Sequence, residues 1–365
     1  MKLLDPQCRI ADFLQKTLDP PVYETVRNGI IVLQDIGALT QDEKLTDLGE
    51  KLGALPVHPS TSKMLLFSIL INCLEPALTL ACAADYREPF LLPMAAEEKK
   101  KAAAAKVELA SLYGGYSDQL AVVAAFECWK RAKDRGQDSQ FCSRYFVSSN
   151  TMEMLFHMRK QLQTELVRIG FIPEDMSSCS LNAQDAGILR AVLTAGSYPM
   201  VGKLLPPRKQ NRRSVVETAS GVKVRLHPHS SNFNLSFGKS CGSPIIIYDE
   251  VTRGDGGMYI RNCSLVGPYP LLLLALELAV APATENEEDS DEDLEASSGE
   301  EDKMETKSCS GQQGGEIMSS PDNTVSVVVD RWLKFESTAL DVAQVYCLRE
   351  RLSAAMLFKV RYLIC

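Results

Sequence analysis

No two of the eleven cysteines stand as a CxxC pair. Zinc sites need close Cys/His pairs, because adjacent turns must offer two ligands to one ion. The thiols therefore read as buried or surface side chains in a reducing compartment, which sets the expected location as intracellular, nuclear or cytoplasmic. Histidine is scarce as well: four are too dispersed for a Cys/His or Ser/His nucleophilic constellation, and no G-x-S-x-G elbow exists. His58 and His157 read as packing or surface residues. The opening MKLLDPQCRI carries Asp5 and Arg9 in place of an apolar signal core, which argues against secretion. The longest apolar run, 271–282, is broken by Glu277 and is too short for a bilayer, so no membrane partner is expected. A phosphate-cradling loop is also missing. Gly238-Lys239-Ser240 matches only its tail, with Phe233 where the motif requires an upstream glycine. Asp249-Glu250-Val251 continues with Thr252, so no D-E-x-H tetrad is completed. The expectation for this chain is no ATP hydrolysis, no catalytic residue, no cofactor and no metal.

What is present is ordinary for a globular protein of two or three small domains: 365 residues, 45% hydrophobic and 24% charged. The net charge of −8 hides an asymmetry, because 285–302 holds eleven acidic residues and no basic one. Without that tract, 39 basic residues face 36 acidic ones, a net of +3. An acidic appendage on a body with local positive charge fits a nucleic-acid binder.

Periodicity divides the chain. Pro20 and Pro21 start a helix with Val22, Val26, Ile30 and Leu33 at helical spacing, and Gly37 is a plausible cap. A turn, a short helix ending near Gly53 and two apolar helices split near Pro76 follow, an order that suits a winged helix. Residues 85–181 read as a helical bundle. EEKKKAAAAKVELASLYGG forms one helix, SDQLAVVAAFECWKRAKDRG another with Ser117 as N-cap, and the third runs from Ser149 to Gly170. Its core stripe is Met154, Leu155, Met158, Leu162, Leu166 and Ile169. After one more helix the texture becomes β-rich. SVVETA, VKVRLHP, PIIIYDEV, MYIRNCSLV and LLLLALELAV predict about five strands of an OB-fold-like antiparallel β-barrel. Residues 283–324 are acidic and Ser-rich and are expected to be disordered. A strand and a C-terminal helix close the chain, docked through Leu340, Ala343, Leu348, Leu352 and Met356. The fold class is thus multi-domain α + β.

The positive signal lies at 203–225, where Lys203, Arg208, Lys209, Arg212, Arg213, Lys223 and Arg225 face one acid, Glu217. Such grouping neutralises phosphates and releases counterions, and OB-fold faces line grooves for single strands; a solvated charged loop is the other reading. Downstream, His229, Ser230, Ser231 and Asn232 offer donors to backbone oxygens, and Phe233 offers a ring. Arg144, Ser148, Ser149 and Asn150 stand at a helix start, where free amides suit a phosphate or an ordinary N-cap.

Several strings resemble the C-terminal region of DEAH/DExH-box RNA helicases. LDPP and IGALTQDEKLTDLGEKLGALPVHPSTSKMLL are similar to that family's winged helix. SDQLAVVAAFECWKRA and FCSRYFVSSNTMEMLFHMRKQL resemble its ratchet-like bundle, and LRAVLTAGSYPMVGKL, VKVRLHPHSSNF and PIIIYDEV its OB-fold. The RLHPHSSNF form resembles the subgroup acting on structured RNA and G-quadruplexes. The resemblance implies 1–18 as the tail of a missing second RecA-like domain, 19–84 as winged helix, 85–181 as bundle, 182–282 as barrel, 283–324 as insert and 325–365 as closing strand and helix. It also implies that ATP and magnesium belong to absent motor domains, while these domains form the far wall of an RNA channel. The RNA, single-stranded or structured, would meet Arg144, Ser149 and Asn150 on the bundle and Lys203, Arg208, Lys209, Arg212, Arg213, Lys223, Arg225 and His229 on the barrel. The acidic insert is outside the common pattern.

A competing reading is a motor-less interaction or regulatory module that binds helicase motor domains or regulatory proteins. There the acidic tract, with Ser290, Ser297 and Ser298 as phosphorylatable positions, would cover the basic groove. A winged-helix transcription factor ranks last, since SKMLLFSILINC is too apolar for a recognition helix.

Overall fold

The computed structural model describes residues 2, 5–205, 214–233, 235, 244–254, 256–275, 277–282 and 320–362. A short α1 (Ile10–Leu14) leads to α2 (Tyr23–Asp35), α3 (Asp47–Gly53), α4 (Pro59–Leu70) and α5 (Leu74–Asp85). Between α2 and α3 the chain turns back on itself through the Leu39–Leu45 bridge. Gly37, at φ +81°, makes the exit from α2 that side-chained residues resist. Thr46 caps α3, its hydroxyl accepting from the Gly49 amide at 2.9 Å. This is a winged helix. Of the expected stripe on α2, Val26, Ile30 and Leu33 are half-buried, while Val22 is exposed.

The bundle comprises α6 (Ala96–Ser111), α7 (Asp118–Asp134), α8 (Asp138–Tyr145) and α9 (Ser149–Ile169). Ser117 does cap α7, accepting from the Leu120 amide. Trp129 and Phe126 are buried at its centre, each worth several kcal/mol if truncated to alanine, about 3–5. Arg159 on α9 pairs with Glu75 and donates to Thr79 at 2.8 Å, locking α9 to α5. The α9 stripe uses Met152, Leu155, Leu162 and Leu166, whereas Met154 points to solvent. Helix α10 (Ala186–Ser197) then packs on α4 and leads into the sheet.

The first sheet holds β1 (Val201–Leu205), β2 (Val215–Thr218), β3 (Lys223–Leu226), β4 (Ile245–Ile247), β5 (Glu250–Gly254), β6 (Gly257–Arg261) and β7 (Ser264–Val266), in the order β5-β6-β3-β2-β1-β4-β7. Two apolar runs each divide in two. PIIIYDEV breaks at Asp249 into β4 and β5, and MYIRNCSLV breaks at Asn262, which sits at φ +49°. One pair, β3–β6, is parallel. Among the described residues no ladder joins β5 to β7, so the sheet curls around its own small core without closing as a barrel. That core holds Leu204, Val216, Val224, Leu226, Ile246 and Ile260.

The run expected as the last barrel strand is half helix. Pro268 and Pro270 begin α11 (Pro268–Leu274), since a proline in the first turn loses no hydrogen bond. Only then does β8 (Leu278–Pro282) start, and it pairs with β9 (Thr324–Val329) and β10 (Leu333–Thr338) in a second, three-stranded sheet. Helix α12 (Ala339–Tyr362) closes the chain. It docks through Ala339, Val342, Val345, Leu352, Met356 and Val360, while Leu340 and Leu348 are exposed. No helix is long and apolar enough to cross a membrane among the described residues. Of the insert expected at 283–324, residues 283–319 lie outside the described residues, whereas 320–324 are described and Thr324 opens β9.

Candidate nucleic-acid interface

Residues in register across a sheet share a face. Lys203 pairs with Glu217, which pairs in turn with Lys223. One step along the strands, Arg225 lies opposite Tyr259. The alternate residues Leu204, Val216, Val224 and Ile260 fill the sheet's own core, so Lys203, Lys223, Arg225, Tyr259 and Arg261 present the other face. Glu217 sits between the two lysines and offsets part of their field. Arg225 donates to the Gly256 carbonyl at 3.0 Å, which steadies the β5–β6 turn.

Past β3 the same face continues into a hollow of about 530 Å³ lined by Arg87, Lys106, His227, His229, Arg261 and Asp249. His227 packs edge-on to His229 at 4.7 Å and to Tyr259 at 6.1 Å. Burial, then the neighbouring Arg261, His229 and Lys106, push His227 down to about 4 and His229 down as well. Both rings are therefore neutral at physiological pH and can accept as well as donate.

The floor of this hollow is a buried polar knot joining bundle to sheet. Asp118, at the start of α7, accepts from the Ser231 amide at 2.8 Å, the Ser230 hydroxyl at 2.7 Å and the Cys263 amide at 3.1 Å. Lys106 reaches Glu88 at 2.6 Å and Asp118 at 3.1 Å. Burial disfavours both charges, yet the Lys106 ammonium and the hydrogen bonds hold Asp118 below the usual carboxylate range, and the two carboxylates hold Lys106 above the usual ammonium range. Asn232 donates to the Cys263 carbonyl at 2.9 Å. Ser230 and Asn232, expected to offer donors to a ligand, are thus engaged within the chain. Sequence reading missed Arg87, Lys106, Asp118, Asp249 and Arg261, and only the SDQ cap at 117–119 hinted at any of them.

Ser149 and Asn150 line a separate hollow of about 520 Å³ with Leu91, Cys142 and Phe146 at the start of α9. Ser148 caps that helix, accepting from the Thr151 amide. Arg144 lies outside the hollow, its guanidinium 5.3 Å above the Tyr145 ring. The structure brings Lys203, Lys223, Arg225 and His229 onto one continuous side and places Ser149 and Asn150 at another hollow. Arg208, Lys209, Arg212 and Arg213 lie outside the described residues. Among the described residues no group of three or more His, Cys, Asp and Glu is arranged to hold a metal ion.

Three family descriptions match the chain: "Helicase associated domain (HA2), winged-helix" over 30–57, "Helicase associated domain (HA2), ratchet-like" over 58–152, and "Oligonucleotide/oligosaccharide-binding (OB)-fold" over 189–278. The chain is 57% identical to the DExH-box ATP-dependent RNA helicase DExH6 of Arabidopsis thaliana, over 99% of its own length. The chain belongs to the DExH-box helicase family, with the helicase-associated and OB-fold domains of its C-terminal region. Against DExH2 of the same plant the identity is 51% over 99% of the chain. The human ATP-dependent DNA/RNA helicase DHX36 is 38% identical over 72% of it. The chain spans 29%, 23% and 26% of the lengths of these three relatives. Residues beyond 278, which build β9, β10 and α12, lie past the three matched domains. The alignments with DExH6 and DExH2, which span 99% of the chain, nevertheless take in that sheet and helix.

Proposed function

We infer that this region is the RNA-binding half of an ATP-dependent DExH-box helicase, forming the wall of the RNA channel opposite the motor domains. ATP and magnesium act in those motor domains on this reading, and the residues of this chain hold and orient the strand. The observation that carries it is the outward sheet face of Lys203, Lys223 and Arg225, which Tyr259 and Arg261 on β6 lead to the hollow of His229, Arg87 and Arg261. Cations that share a face can neutralise successive phosphates, and neutral histidines beside them suit ribose hydroxyls. The helicase names of the relatives support the same reading.

The test is fluorescence anisotropy with a labelled single-stranded RNA between 50 and 200 mM salt, a span over which phosphate contacts lose affinity steeply. Reversing charge at two positions, Lys223→Glu with Arg225→Glu, should weaken binding about tenfold or more at low salt. It should also flatten the salt slope by about 0.7 per lost contact on a single strand. Unmeasurable binding by the unaltered chain at the lowest salt would remove the proposal.

A further inference from the structure

A second hollow of about 520 Å³ adjoins the basic one and differs from it in chemistry. Its walls come from the starts of α4 and α7, the ends of α5 and α10, and the turn after β4. Met64, Leu80, Val122, Leu193, Pro199 and Met200 make it largely apolar. Hydroxyls and amides such as Ser60, Tyr248, Gln119 and Asn262 are present, but its Asp, Glu, Lys and Arg members are all carboxylates: Asp85, Glu88 and Asp249, beside Asp118, whose charge Lys106 already balances. Phosphate is repelled from such a space. A flat group with several N–H donors is welcomed.

Asp249 is fixed for that task. Its amide donates to the Arg261 carbonyl at 3.2 Å, and its carboxylate accepts from Gln119 at 3.0 Å. Gln119 is held in turn by the Ser264 hydroxyl. A carboxylate has about four lone-pair sites, so the bonds from Gln119 and Asn262 leave acceptor capacity open. The two hollows share Ala83, Ala84, Glu88, Asp118, Asp249 and Asn262 as their common wall. Asp249 lines both hollows, so a strand whose phosphates follow Arg87 and Arg261 passes the wall that carries its carboxylate.

Resting on the RNA-binding reading, the geometry points to a guanine-accepting pocket in which the Asp249 carboxylate receives the adjacent N1–H and N2–H₂ donors of one unstacked guanine. Guanine alone among the four bases offers two neighbouring donors to two acceptor oxygens; adenine and cytosine pair one donor with an acceptor, and uracil offers a single N–H. Met64 and Met200 supply polarizable surface for the ring. The site is thus a reader of one base within a strand that the cations hold without regard to sequence.

The experiment uses the full chain and labelled twelve-nucleotide uridine tracts carrying one central guanosine, one adenosine or none. A bidentate base contact is worth about tenfold or more in discrimination. The guanosine strand should accordingly bind about tenfold more tightly than the other two. Asp249→Asn replaces one acceptor oxygen by a donor, and Gln119 can still donate to the remaining oxygen. This variant should bind plain uridine tracts as before, lose the guanosine preference and bring the adenosine strand level with or ahead of guanosine. A merely structural Asp249 would shift all three strands together, and that result overturns the pocket. Equal binding of all three strands by the unaltered chain overturns it while leaving RNA binding intact. Failure of every strand to bind overturns both.

Discussion

At the scale of single residues, the Lys106–Asp118 pair fastens bundle to sheet beside the apolar core that the two share. Both side chains are buried, and Asp118 gathers Ser230, Ser231 and Cys263 around it. Removing one partner strands a charge away from water, which costs about 3–5 kcal/mol, whereas removing both together costs far less. Lys106→Met should therefore lower the urea midpoint markedly, and adding Asp118→Asn should recover much of the loss. Additive effects of the two changes would show that the ion pair is not the fastening. Little of this was legible in the sequence. Lys106 sits in an alanine-rich helix, Asp118 follows a serine cap, and Ser230 stands in a loop more than a hundred positions later. Each looks like a surface polar residue until the chain folds. Lys203, Lys223 and Arg225 were legible because they crowd a short stretch, while Arg87, Asp249 and Arg261 come from distant segments with no local signal.

At the scale of elements, helices announced themselves and short strands did not. Ser117, Gly37 and Gly170 mark helix ends where caps and left-handed turns belong. The apolar run after Pro268 misled because a buried short helix and a buried strand share the same composition. The β9–β10 connection was hidden for another reason. It places Asp330 at φ +47° and Arg331 at φ +66° with no glycine to signal a turn. Asp330 justifies its position by accepting from the Tyr198 hydroxyl and the Glu277 amide at 3.2 Å. Among the described residues Arg331 makes only an exposed pair with Glu277 at 3.0 Å, a contact worth about 1 kcal/mol at most. Left-handed backbone costs a side-chained residue about 1–2 kcal/mol, which glycine avoids. Arg331→Gly should leave the melting temperature unchanged or raise it, whereas a fall of several degrees would mean that the guanidinium does more than the geometry shows.

For the whole molecule, α12 is the return path from the far end to the beginning. It lies along α11, crosses to α3 and α4, and ends with Arg361 3.1 Å from Asp47 in the winged helix. Arg349 donates to the Leu272 carbonyl at 3.2 Å and so closes the last turn of α11. A chain ending after Thr338 would uncover apolar surface on the second sheet and on α11. Burial of apolar side chains contributes about 1.5–3 kcal/mol each, so the loss is large. Such a truncation should bind a hydrophobic dye and melt at lower temperature. Unchanged melting would show that the helix is an appendage instead of a brace.

The ladder between β8 and β9 has one more outcome. Pro282 stands opposite Val325 and Ala281 opposite Ser326, so both ends of the acidic segment are pinned side by side whatever its length. Closing a loop costs only about 0.6 kcal/mol for each doubling of its residues. A reporter domain spliced between the two strands should therefore leave the melting temperature nearly unchanged, because the ladder itself fixes where they meet.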